Sequence, residues 1–131
     1  MLLDDISDFL VGNGLGAPVQ KAQLVELPDT ALALRETGGF PTEHRMGTTN
    51  GNGRAILDQP TLQVVTRAKD YPTAMSLARL AYQILDGARD QTINGLLYHF
   101  IRALQQPFFL MRDDNQRYLC AFNIHITRRN V

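Results

Sequence analysis

The sequence predicts an α+β fold, an antiparallel or mixed β-sheet carrying two helices and closing on a long C-terminal β-hairpin. Three observations lead there. Tyr118, Cys120, Phe122, Ile124 and Ile126 alternate with Leu119, Ala121, Asn123, His125 and Thr127, a period of two held for five cycles. The turn-forming run Asp113-Asp114-Asn115-Gln116 precedes them, so the chain from Thr92 to Arg112 folds back on Arg117 to Arg128. Upstream, Ala74, Leu77, Ala78, Ala81, Ile84 and Leu85 recur at the spacing of one helix face. An eleven-residue strand is roughly 36 Å long at ~3.3 Å per residue, close to the width of a compact domain of this size. Long strand edges expose unpaired N–H and C=O groups and are either hidden or used for assembly. The expectation is that sister molecules complete the C-terminal ribbon.

Taken in order, Leu2, Leu3, Ile6, Phe9 and Leu10 fall at helical spacing, with Asp4 and Asp5 in the first turn, where the helix dipole favours negative charge. Gly12 and Gly14 supply a left-handed cap. Gly12-Asn13-Gly14-Leu15-Gly16 has the look of a nucleotide-binding loop, but it follows a helix instead of joining a strand to one. Ala22 to Leu27 and Ala31 to Thr37 are short strand candidates around the turn pair Pro28-Asp29. Gly38 to Pro60 reads as a long irregular loop, with Gly38-Gly39, Pro41 and Asn50-Gly51-Asn52-Gly53 inside it. A connection of that length is functional or disordered, and one reading is a segment ordered by a partner. Thr61 to Lys69 alternates as a strand with one charged face. Asp70 caps the second helix, Pro72 is tolerated in its first turn, and Gly87 stops it. Asn94-Gly95 is a preferred two-residue hairpin turn, and Pro107 marks a bend or an edge because it cannot donate to the ladder.

The chain of 131 residues has the length of one domain, and 44% hydrophobic with 20% charged residues is ordinary for a globular protein. No apolar run approaches the ~18 residues that cross a bilayer. The start Met-Leu-Leu-Asp-Asp carries acid where a signal peptide carries Lys or Arg, which predicts no export. The single cysteine, Cys120, on the apolar face of its strand, suits a reducing compartment and an inert core thiol. Zero net charge argues against a nucleic-acid groove as the main function. Residues 1–60 nevertheless carry eight acids and four bases, and residues 61–131 five acids and nine bases. Unless the halves interleave in the fold, that polarity suits head-to-tail stacking of copies. All but two of the thirteen bases are arginines, which favour interfaces.

Catalytic and metal chemistry find no support. His44 has no second ligand at fixed spacing, and His99 and His125 lie on neighbouring strands without a third partner, where zinc needs three or four. Asp113-Asp114-Asn115 lacks the glycine and terminal glutamate of a calcium loop. Asp4, Asp5 and Asp8 read as a solvated helix face. The expectation is no enzyme activity and no cofactor.

Ala31-Leu32-Ala33-Leu34-Arg35-Glu36-Thr37-Gly38-Gly39-Phe40-Pro41, preceded by Asp29, resembles a pattern in the small minor capsid or tail terminator proteins of long-tailed bacteriophages. Pro60 to Tyr71, Ile93-Asn94-Gly95, Pro107-Phe108 and Arg112-Asp113 continue that resemblance in the same order over nearly the whole chain. Asn50 to Gly53 departs from the pattern. The resemblance implies a virion structural protein of the tail or neck, assembled in the host cytoplasm. It would cap the tail tube and join it to the head-completion protein as a ring, six-membered in related terminators. DNA would pass through the lumen without a specific site, and no membrane is involved. A head-completion or connector subunit is the alternative, followed by a small ligand-binding α+β domain. A nucleic-acid surface at Arg67, Lys69, Arg102 and the C-terminal arginines is a further one.

The residues expected at subunit interfaces are Asp4, Asp5 and Asp8 on one face and Arg112, Arg117, Arg128 and Arg129 on another. Gly39, His44, Arg45, Asn50 and Arg54 belong to the loop expected to order on a partner.

Overall fold

The computed structural model describes the backbone of residues 2–22, 24, 28–44 and 55–129, with the side chains of all of these except 39–44, 55–57 and 129. The elements follow in the order α1 (Leu2–Gly12), β1 (Val19–Lys21), β2 (Ala31–His44), β3 (Ala55–Ala68), α2 (Tyr71–Leu85), β4 (Ala88–Ile93), β5 (Leu96–Ala103), β6 (Phe108–Arg112) and β7 (Tyr118–Arg129). All seven strands join one mixed sheet in the order β1-β2-β3-β7-β5-β4, with β6 also paired to β7. Only β1 and β2 run parallel. The α+β class with two helices stands.

Helix α2 forms as its residues dictate. The Asp70 carboxylate accepts from the Thr73 N–H at 3.2 Å, and Gly87, at φ +85, ends the helix in a conformation that costs glycine nothing. Ala74, Ala78 and Ala81 are fully buried, so the helix axis lies close to the sheet. The buried Thr66 hydroxyl donates to the Ala74 carbonyl at 2.9 Å, tying helix to strand. Leu62 and Val64 on β3, Phe122, Ile124 and Ile126 on β7, and Leu77 and Leu85 on α2 form the core with Ile6 and Leu10 of α1. Each fully buried Leu, Ile or Phe contributes roughly 1.5–3 kcal/mol.

Both long strands outrun the irregular segment expected over 38–60. β2 continues to His44 and β3 starts at Ala55, with His44 opposite Ala55 and Glu43 opposite Leu57. Register shifts after Thr37, Phe40 and Glu43 absorb the glycine pair and Pro41 without ending the pairing. Gly39 and His44 therefore belong to a strand; Arg45, Asn50 and Arg54 lie outside the described residues. Of the strand expected at Ala22 to Leu27, residues 23 and 25–27 lie outside the described residues. Before it, β1 (Val19–Lys21) runs parallel to β2, and Ala22 follows with φ +76.

The C-terminal ribbon is the largest correction. β7 lies inside the sheet, paired along Tyr118–Arg129 with β3 on one side. On its other side β6 pairs with Tyr118–Ala121 and β5 with Ile124–Arg128. The hairpin exists, but its first strand breaks at Leu104–Pro107, where Pro107 removes a donor. The edge strands are β1, β4 and β6, not β7. Asn94 and Gly95, at φ +52 and +83, make the tight turn between β4 and β5 that their sequence predicts.

Candidate functional site

Strand β6 reads Phe-Phe-Leu-Met-Arg, and every residue in it is exposed, Phe109 by 46% and Met111 by 52%. One edge bonds to β7, and among the described residues no strand pairs with the other. A register shift between Phe109 and Met111 lets the sequence neighbours Leu110 and Met111 both line one groove. That groove, of about 430 Å³, is completed by Leu24, Ala33, Val65 and Leu119, with Arg35 its charged member. It lies on the sheet face opposite α2, because Ala33 pairs with Val65 while Leu62 and Val64 alternate with them toward the core. On the helix side of β6, Phe109, Tyr71 and Tyr118 meet with ring centroids 6.0–6.1 Å apart. The Arg112 guanidinium lies 4.7 Å from the Tyr118 ring centre. An apolar groove beside an apolar edge strand is suited to receive another polypeptide.

Farther along the helix-free face the character changes. Thr37, Thr61, His125 and Arg102 stand opposite one another across β2, β3, β7 and β5. Arg35, Gln63 and Asn123 form a second row, and Arg89, Phe100 and Thr127 a third. Phe100, Arg102, His125 and Thr127 line a recess of about 220 Å³. The Arg89 guanidinium sits 5.0 Å over the Phe100 ring. Burial, with the neighbouring charge of Arg102, pushes the His125 pKa below its usual value, so the ring is neutral at pH 7. His125 bonds to the Gln59 side chain at 3.2 Å and faces Arg102, not His99.

The residues expected to meet across subunits divide sharply. Asp5 is buried, accepting from the Tyr98 hydroxyl at 2.6 Å and from Asn94 Nδ2 at 2.8 Å. Desolvation, reinforced by that Asp5 bond, pushes the Tyr98 pKa up to about 12. Arg128 belongs to the same neighbourhood, with Nε 3.5 Å from Asp58 and a guanidinium whose charge offsets part of the rise at Tyr98. Asp5 and Arg128, expected on opposite subunit faces, are thus brought together within one subunit. Arg117 is also internal, donating to Asp113 at 2.7 Å and Asp29 at 3.3 Å. Burial opposes the charge on Asp113, but the Arg117 backbone and guanidinium donors outweigh it and hold the carboxyl below its usual range. Asp29 is held low first by Lys69 and then by Arg117. Arg67 donates to the Asp29 and Pro28 carbonyls.

Asp4 pairs with Lys21, Asp8 is exposed while accepting from Asn94 at 3.0 Å, and Arg112 is exposed beside β6. The backbone of Arg129 pairs with Leu57; its side chain lies outside the described residues. Sequence reasoning placed Phe108 to Arg112 in the first arm of the hairpin but did not single out β6 as a separate exposed strand or a candidate site. Its signal was available: Phe108 to Met111 are four consecutive large apolar residues where an amphipathic strand would alternate.

Among the described residues no three His, Cys, Asp or Glu side chains converge as metal ligands, and no helix is long and apolar enough to cross a membrane. Cys120 is buried, which pushes its thiol pKa up.

No curated protein sequence matches the chain. Solved structures share its fold, two of them as follows. One is a chain of the virion of a native gene transfer agent particle, 15% identical, covering 98% of this chain and 95% of that one, with a TM-score of 0.62. The other is 12% identical over 99% of this chain and 91% of that one, with a TM-score of 0.57. The profile of the family described as bacteriophage tail terminator protein matches residues 9–130, nearly the whole length. The chain belongs to the bacteriophage tail terminator protein family, structural components of the phage tail.

Proposed function

We propose that the protein closes the tail tube as a ring of its own copies, six by analogy with related terminators, and joins the tube to the head-completion complex. It has no turnover and no cofactor in this reading, and it assembles in the host cytoplasm. The observation that carries the proposal is β6, an edge strand of exposed, mostly apolar residues beside an apolar groove. Ring contacts are heterologous, one patch meeting a different one, so each subunit needs a donor surface and a receptor surface. β6 with its groove is the receptor, and an extended segment of the neighbour or of the tube protein adds a strand there. Arg112, at the end of β6, and Asp8, on the exposed face of α1, are the charges that set the register of that contact.

The test is the mass of the particle by light scattering and negative-stain microscopy, alone and with tail tube protein. The expected result is a ring in at least the second condition. Strict monomers in both, or capture of a portal-side protein in place of the tube, would count against this assignment. Met111→Glu should abolish the ring while leaving the monomer folded.

A further inference from the structure

We propose that the polar half of the helix-free sheet face is a contact surface for the phosphate backbone of duplex DNA, an inference that rests on the ring reading only for its setting in the lumen. Arg35, Arg89 and Arg102 project from β2, β4 and β5 onto this one face, and all three are exposed. No acidic residue occupies any of the three cross-strand rows that contain them. None of the ion pairs among the described residues involves them. The acids Asp29 and Asp113 are held by Lys69 and Arg117 at the end of the sheet nearer β6.

What lies between the arginines identifies the partner. Thr37, Thr61, Gln63, Asn123, His125 and Thr127 fill the rows with neutral donors and acceptors, and Phe100, covered by the Arg89 guanidinium, is the aromatic member among them. Arg with Thr, Asn and Gln is the side-chain set that contacts phosphates and sugars, whereas a protein partner is anchored by apolar and aromatic groups. The larger apolar cluster of this face is the groove beside β6, and Arg35 stands at the border between that groove and the polar rows. From β2 to β4 is four interstrand steps, about 19 Å at ~4.8 Å each. That exceeds the ~12 Å major groove, so Arg35 and Arg89 reach separate phosphate runs. The recess lined by Arg102, His125 and Thr127 is large enough for one phosphate group. Contacts of this kind read no bases, which suits DNA moving past.

The test is anisotropy of a short labelled duplex across a salt series, with the full chain and, on the same samples, particle mass. Three phosphate contacts predict a log–log salt slope of about −2.7 per bound subunit. Combining Arg35→Gln, Arg89→Gln and Arg102→Gln should bring the slope near zero and weaken low-salt binding at least tenfold. The matching triple Lys substitution should retain the slope, as should Arg79→Gln on α2. Inorganic phosphate at matched ionic strength should not compete beyond its salt effect. A flat slope for the unaltered protein, or an unchanged slope for the triple Gln variant, overturns the inference. So does a triple Gln variant that loses its oligomeric mass but keeps DNA affinity, since the arginines would then belong to a subunit contact. Monomers that bind with the expected slope uphold it while removing the ring.

Discussion

Asp5 shows how one side chain can leave the surface its sequence position suggests. It occupies the first turn of α1, yet the chain uses it to accept from Tyr98 and Asn94, joining the helix to the β4–β5 hairpin. Removing a buried partner leaves the other groups desolvated and unbonded, at about 1–3 kcal/mol. Asp5→Ala should therefore lower the urea-derived stability by about 2 kcal/mol, and Tyr98→Phe by a smaller amount. The tyrosine adds an alkaline signature. Its folded pKa, about 12, exceeds the unfolded 10.0, so its contribution is complete below pH 10 and lost as pH rises toward 12. Tyr98→Phe should flatten that limb. Asp113 behaves in the opposite sense. Its folded pKa is depressed from 3.8, so its stabilisation is present above that value and is lost as pH falls below it. Denaturant midpoints measured below pH 5 should drop less steeply for Asp113→Asn than for the unaltered chain.

At the level of elements, α2 was legible almost to the residue, because capping, proline placement and alanine spacing agree locally. Asp70→Ala should cost about 1 kcal/mol, read as a shift in the denaturation midpoint. The hairpin turns at Asn94-Gly95 and Asp113–Gln116 were legible for the same reason. Strand neighbours were not, because period-two patterning reports which face is buried and says nothing of what lies alongside. Thus β7 looked like an edge and proved central. The segment 38–60 looked irregular because glycine and proline dominate its composition, yet pairing between β2 and β3 overrides that preference at both ends. Charge was the least readable signal. Asp5, Arg117 and Arg128 carry the same formal charges as Asp8 and Arg112, and only tertiary placement separates internal from exposed. β6 is where strand patterning fails locally, as expected when a surface serves another molecule. Leu110→Lys should reduce self-association without lowering monomer stability, measured by sedimentation and by melting of the dilute protein.

For the whole molecule, one sheet divides the work between its faces. Helices seal one side, and the other carries an apolar groove beside β6 and, farther along, the exposed Arg89 and Arg102. If copies assemble, the thermal midpoint should rise with protein concentration and with added tube protein, because partners that bind only the folded subunit stabilise it by mass action. A midpoint independent of both would contradict assembly. The position of β7 also governs timing. Its residues are made after every other element, yet they supply the ladder between β3 and β5 and the backing on which β6 is displayed. A nascent chain short of residue 118 has no frame to present β6, so that strand is displayed only once β7 has been made.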